Sequence, residues 1–388
     1  MQPVARSLSS ASQTPNAANT AQRLHQIDLA RRAVLREDKP LSGLLPESWI
    51  ERSWRRCLAT GQRPQQAVGF DLIPAQALRR IEEANHTLLT AARPVLDQLG
   101  HAVAATRYFV ILTNADGVVV DVNGPVDRHD RRAEVISRIG VDLSEARVGT
   151  TAIGSALTEL QPVWLHRGEH FFDANASYSC AGAPLFGSDG RCVGMLDLTG
   201  IDAEERPELK HLVMHSARSI ENALALDQPH VLTVHINWPG HNLDEDTDGL
   251  ICLDPDGWVT GTNSAARQMI PHLTTANITR VHCSDLFAMS FELLFDGAQS
   301  RPSRQQTPVE VPLWSGLRLH AVATRVTGPP DATPRSMTWR PPLPLKDVET
   351  AMIHQAVAQA KGNVMQAALA LGISRATVYR KLGKKNRP

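Results

Sequence analysis

Charge imbalance is the first thing this chain lacks: forty Lys and Arg stand against forty Asp and Glu over 388 residues, a formal net charge of zero. The overall balance therefore points to neither a polyanion nor a membrane surface, and any such partner has to be sought in local clusters. Long apolar runs are missing as well. No stretch approaches the roughly 18 apolar residues of a membrane span, and the polar first 20 residues contain no apolar signal-peptide core. Cysteine is scarce. Cys57, Cys180, Cys192, Cys252 and Cys283 are odd in number and show no CxxC spacing, which excludes a disulfide framework and a structural zinc site of the usual spacing. Reduced thiols in a cytoplasm are the expectation. Finally, no GxxxxGK[ST] occurs, so the Lys and backbone cradle that P-loops use for nucleotide phosphates is absent.

What is present is ordinary for a globular protein: 42% hydrophobic and 21% charged residues, with length for two or three domains. A polar tail over residues 1–20 precedes a helical segment over 21–77, carrying Trp49, Ile50 and Trp54 at helical spacing. Leu78, Ile81, Leu88, Leu89, Val95 and Leu96 predict one long helix, kinked at Pro94, opening a sensor domain over 78–228. From Tyr108 the period changes. Tyr108 to Leu112, Asn114-Ala115-Asp116-Gly117 and Val118 to Val120 read as strand, turn and strand; Ser188-Asp189-Gly190 marks a second hairpin and Asp254-Pro255-Asp256-Gly257 a third. The fold class expected is α+β with an antiparallel sheet. A smaller domain over 245–326 follows, then a linker over 327–344 with six prolines.

Residues 345–388 carry the sharpest pattern. A helix over 347–360 is followed by two short ones, Gly372 supplies the turn between them, and Ser374 caps the last. Small residues at Ala367 and Ala368 allow a close helix crossing, while Ile373 and Val378 fill the gap and fix the angle. Ser374, Arg375, Ala376, Thr377, Tyr379, Arg380 and Lys381 then offer donors and methyl groups suited to base edges and phosphates of a major groove. From Lys361 onward there are seven Lys or Arg and no Asp or Glu. The neutral total thus conceals a cationic end, the footprint expected of a duplex-DNA partner. A solvent-facing basic tail is the blander reading of the same residues.

The run Gly362-Asn363-Val364 … Gly372-Ile373-Ser374-Arg375-Ala376-Thr377-Val378-Tyr379-Arg380 resembles the Fis-type helix-turn-helix of bacterial enhancer-binding regulators. Arg147-Val148-Gly149-Thr150-Thr151, Glu169-His170-Phe171, Cys180-Ala181-Gly182-Ala183-Pro184 and Gly194-Met195-Leu196-Asp197-Leu198, with Ser53-Trp54-Arg55-Arg56-Cys57 upstream, resemble the GAF domain region of acetoin-type (AcoR-like) transcriptional activators. Thr151 stands where that family usually has Asn. The resemblance implies a GAF sensor binding a small effector among Phe109, Thr150, Glu169, His170, Phe171 and Cys180, and it makes Asp254 to Asn263 the opening of a PAS-like domain.

Metal or haem ligation by Glu169, His170 and Cys180, and a catalytic thiol at Cys180 or Cys192, compete with structural roles for the same residues. No cofactor, metal or enzymatic activity is expected. Relatives of this type carry an AAA+ ATPase that works with sigma-54, and without a P-loop the expectation is a cytoplasmic regulator that is not itself that ATPase. It would act as a homodimer through 347–360, with RNA polymerase or an ATPase-bearing relative as further partners and no membrane contact. The rivals are a GAF-based enzyme and an interaction module that binds no DNA.

Overall fold

The computed structural model describes residues 15–36, 48–241, 243, 247–275, 280–298, 308–326 and 345–382. The proline-rich stretch 327–344 and the basic Lys384, Lys385 and Arg387 lie outside the described residues. The architecture is α+β, with two antiparallel five-stranded sheets and a helical C-terminal unit.

Helix α1 (Pro15–Arg31) opens inside the stretch expected to be tail, with Pro at its first position, where a missing N–H costs nothing. A single π turn extends it to Arg36, and α2 (Ser48–Ala59) follows. The long helix expected over 78–99 is two, α3 (Ala75–Ala84) and α4 (His86–Val103). The break falls at Asn85, not Pro94. Asn85 leaves helical geometry (φ −104, ψ 14) while its Nδ2 donates to the Ile81 carbonyl at 2.7 Å, a local bond that competes with helix propagation. Pro94 sits within α4.

The first sheet comprises β1 (Tyr108–Asn114), β2 (Val119–Asn123), β3 (Val163–His166), β4 (Tyr178–Phe186) and β5 (Cys192–Ile201), in the order β2-β1-β5-β4-β3. Side chains alternate across it. Phe109 and Ile111 of β1 enter one core layer with Trp49, Trp54 and Cys57 of α2, and Tyr108, Val110 and Leu112 enter the other with α4 and α8 (Leu209–Leu226). The upstream helix α2 is thus part of the sensor core. Between β2 and β3 run the short helices α5 (Arg131–Ile136), α6 (Glu145–Val148) and α7 (Ala152–Glu159).

The turns follow their sequence chemistry. Asn114 Oδ1 accepts from the N–H groups of Asp116 and Val118 at 3.0 and 2.9 Å, and Gly117 takes φ +84. Asp254 does the same for Asp256 and Trp258, with Gly257 at φ +87.

The second sheet has the order β8-β7-β6-β10-β9, from β6 (Leu232–Asn237), β7 (Gly249–Leu253), β8 (Val259–Thr262), β9 (Val309–Pro312) and β10 (Arg318–Arg325). It begins upstream of residue 245, because β6 is its central strand. In the first sheet the central position belongs to the last strand, β5; in the second it belongs to the first, β6. Helices α9 (Ser264–Met269), α10 (His272–Thr275), α11 (Cys283–Leu286) and α12 (Glu292–Gly297) cover it. Helix α8 bridges the two sheets: Asn263 Nδ2 donates to Asn222 Oδ1 at 2.7 Å, and the Ser264 N–H donates to Glu221 at 3.2 Å.

Candidate functional site

The C-terminal unit consists of α13 (Leu345–Gln359), α14 (Val364–Ala370) and α15 (Arg375–Leu382). Asn363 caps α14, accepting from the N–H groups of Met365 and Gln366 at 3.1 and 3.2 Å. Gly372 takes φ +65 between α14 and α15, and Ser374 Oγ accepts from the Thr377 N–H at 3.1 Å. Ile353, Ala368, Leu371 and Val378 form the core that sets the crossing, with Ile373 and Leu382 against it. With Val378 turned inward, Arg375, Ala376, Tyr379 and Arg380 are exposed; Thr377 and Lys381 are half-buried at the edges of that surface, and Ser374 is exposed at its start. All seven residues singled out in the sequence lie on this one helix or at its cap.

The six residues expected around the effector separate. His170 and Cys180 line a cavity of about 30 Å³ against the face of the first sheet. Thr150 is instead buried against α2, its hydroxyl 2.7 Å from Ser53 Oγ and 3.7 Å from Cys57 Sγ. Glu169 is fully buried but held by Arg23 of α1 at 2.9 and 3.1 Å and by the His166 N–H at 2.6 Å. Phe109 and Phe171 belong to the core around the cavity.

Most of the cavity wall is apolar, from Phe70, Ile111, Ile136, Leu143, Val148 and Ile153. Sequence reasoning missed its polar residues, Asn175, Tyr178, Asp197 and Thr199. Thr199 donates its hydroxyl proton to Asp197 Oδ2, and the Cys180 thiol lies 3.4 Å from the same hydroxyl. Burial pushes the Asp197 pKa up to about 7, with the Thr199 hydrogen bond opposing it. Burial lowers His170 to about 4, so its ring is neutral. The same desolvation drives the Cys180 thiol well above its ordinary value. A thiol held protonated in this way is a poor nucleophile. Among the described residues no three His, Cys, Asp or Glu side chains gather into a metal-binding group.

Residues 344–384 match the family described as bacterial regulatory protein, Fis family. The matched segment is the helical unit just described. Residues 50–222, covering α2 and the first sheet, match the family described as MimR, N-terminal domain. The acetoin catabolism regulatory protein of Cupriavidus necator is 28% identical over 273 residues, covering 66% of this chain and 40% of that protein. The acetoin dehydrogenase operon transcriptional activator AcoR of Bacillus subtilis is 29% identical over 180 residues, covering 45% of this chain and 29% of that one. This chain therefore spans well under half the length of these curated relatives. Among solved structures, the E. coli DhaR(N)-DhaL complex aligns at a TM-score of 0.43 and 16% identity, covering 72% of this chain and all of that one. The relatives are transcriptional regulators by name. Among the described residues no helix is long and apolar enough to cross a membrane.

A signal for the missed residues was available in the strands. Asp197 and Thr199 are polar residues two apart in an otherwise apolar run, so they share one face of β5, a pattern that a buried sheet does not need for packing alone.

Proposed function

We propose that this chain is a sequence-specific DNA-binding transcriptional regulator whose duplex contact, through α15, is governed by a small molecule held in the first-sheet cavity. One observation carries the reading. A buried four-residue core presents Arg375, Ala376, Tyr379 and Arg380 together on the exposed side of α15, in a segment that matches the Fis family and has no acidic residue from Lys361 onward. Such a surface neutralises phosphates and reaches base edges at once, and it has no carboxylate to repel the duplex.

The regulator works as a dimer, because one short recognition helix makes few base contacts and two half-sites a helical turn apart supply affinity and direction. Having no P-loop motif in its sequence, it acts by occupying DNA, by contacting RNA polymerase, or by pairing with an ATPase-bearing relative, and it hydrolyses no ATP itself. The second-sheet unit, from β6 (Leu232–Asn237) onward, serves as a PAS-like second sensor or relay, joined to the first through α8.

The test is selection of bound duplexes by the full chain, followed by footprinting of Arg375→Ala and Arg380→Ala. Each substitution is expected to weaken specific binding by about 1–3 kcal/mol and to reduce the salt dependence where a phosphate contact is lost. Retention that is independent of sequence and unchanged in both variants overturns the reading.

A further inference from the structure

The cavity beneath the first sheet has an unusual hydrogen-bond inventory: among the described residues three buried polar atoms on its wall have no partner, and with the Asp197 carboxyl ionised all three are acceptors. Asp197 Oδ1 is one, its other oxygen being occupied by the Thr199 hydroxyl. Asn175 Oδ1 is the second. Its amide nitrogen donates to the Val148 carbonyl at 3.2 Å, which fixes the orientation of the amide and leaves the oxygen over. His170 Nε2 is the third. Nδ1 lies 2.9 Å from the Arg167 carbonyl, and since a carbonyl only accepts, the ring proton sits on Nδ1 and Nε2 offers a lone pair. The three side chains are at most 2% exposed.

Donors are fewer than acceptors. Among the described residues neither Lys nor Arg lines the cavity. The Thr199 hydroxyl is spent on Asp197 and the Tyr178 hydroxyl donates to the Arg132 carbonyl at 3.2 Å, while the Thr151 hydroxyl, whose oxygen accepts from the Gly154 N–H at 3.2 Å, keeps one proton against the three acceptors. A buried acceptor left unmade is costly, and three around one small cavity define the complement they lack.

We propose that the sensor cavity binds the primary ammonium group of a small amine, its N–H donors directed to Asp197 Oδ1, Asn175 Oδ1 and His170 Nε2 and its short alkyl body against Ile111, Val148 and Ile153. The ammonium supplies three donors and a charge opposite to the carboxylate, whereas a single hydroxyl supplies one donor and no charge. The volume limits the rest of the molecule. A cavity of about 30 Å³ holds two or three water-sized groups, so the ligand has on the order of two to four non-hydrogen atoms. The elevated pKa of Asp197 agrees with a carboxylate that lacks its cation. The inference rests on the first sheet being the effector unit, and it names the effector class.

The experiment is calorimetric titration of the full chain with methylammonium and ethylammonium chloride, against methanol and ethanol, at ionic strength fixed with sodium chloride. Saturable binding of at least one amine is expected, at least tenfold tighter than the alcohol of the same shape. Asp197→Asn, which keeps the shape and removes the charge, is expected to abolish it, and Asn175→Ala to weaken it roughly tenfold. The second variant preserves the test if the first does not fold. Alcohols binding as tightly as amines overturn the proposal, as does amine affinity unchanged in the variants, or binding of neither series, which leaves a cavity for water only. Duplex retention is scored separately on the same preparation with and without amine. A chain that binds DNA but no amine refutes this inference alone, and one that binds amine but no DNA refutes the regulator reading alone.

Discussion

Replacing Arg23 by Met tests how α1 is attached to the sensor. Arg23 grips both oxygens of Glu169 at 2.9 and 3.1 Å and also meets Glu205 at 2.9 Å. Glu169 is fully buried, while the Arg23 side chain keeps 25% of its exposure. Removing one partner of a buried pair costs about 3–5 kcal/mol; the partial exposure of Arg23 puts this case near 3, or about two decades in the docking equilibrium of α1. Global unfolding is not expected, because Arg31 independently holds the same segment through the Gly168, His170 and Phe171 carbonyls and Asp173.

The effect carries a pH signature. Burial holds the Glu169 pKa above the ordinary carboxylate value, with Arg23 pulling against it. A group raised in the folded state contributes stability that is complete below its unfolded pKa and is lost as pH rises through the folded one. Losing Arg23 raises Glu169 further. The difference between variant and wild type is therefore small near pH 4, where the carboxyl is protonated in both, and grows toward pH 8. Hydrogen exchange of the amides in residues 21–31 and 166–173, compared at each pH, reads it directly. Equal protection throughout, or a difference largest in acid, refutes the reasoning. Because His170 is carried by that segment and lines the cavity, loosening α1 should also weaken whatever the cavity holds.

Three other outcomes follow from packing. Gly194→Ala would place a Cβ 2.3 Å from the Thr113 carbonyl oxygen across β1 and β5, so a loss of about 3 kcal/mol in urea denaturation is expected, while Gly297→Ala, with no neighbour within 4 Å among the described residues, stays near wild type. Val378→Ala hollows the small core under α15 and should cost roughly 2 kcal/mol and the duplex binding with it, although this side chain faces away from the proposed DNA surface. Iodoacetamide at pH 8 should label the half-exposed Cys192 before Cys180 and Cys252, which are buried and whose thiols are pushed up, Cys252 to about 12; mass mapping that finds Cys180 labelled first contradicts the burial assignment.

The amino-acid sequence alone determined whatever depends on neighbours along the chain. The Asn114 and Asp254 turns, the Ser374 cap, the Gly372 bend and the residues α15 exposes all follow from local hydrogen bonding and helical spacing, and so they were legible. The α3–α4 break at Asn85 was also local, but a polar residue's competing hydrogen bond is a weaker signal than a proline. Tertiary structure decided the cavity. Whether Glu169 meets a ligand or Arg23, and whether Asp197 from β5 and His170 and Asn175 from the β3–β4 connection share one space, depends on pairing between strands distant in sequence, such as β1 with β5, and on a helix that precedes them by more than a hundred residues. No local pattern encodes such a meeting, because the energy that favours it exists only once the layers have packed.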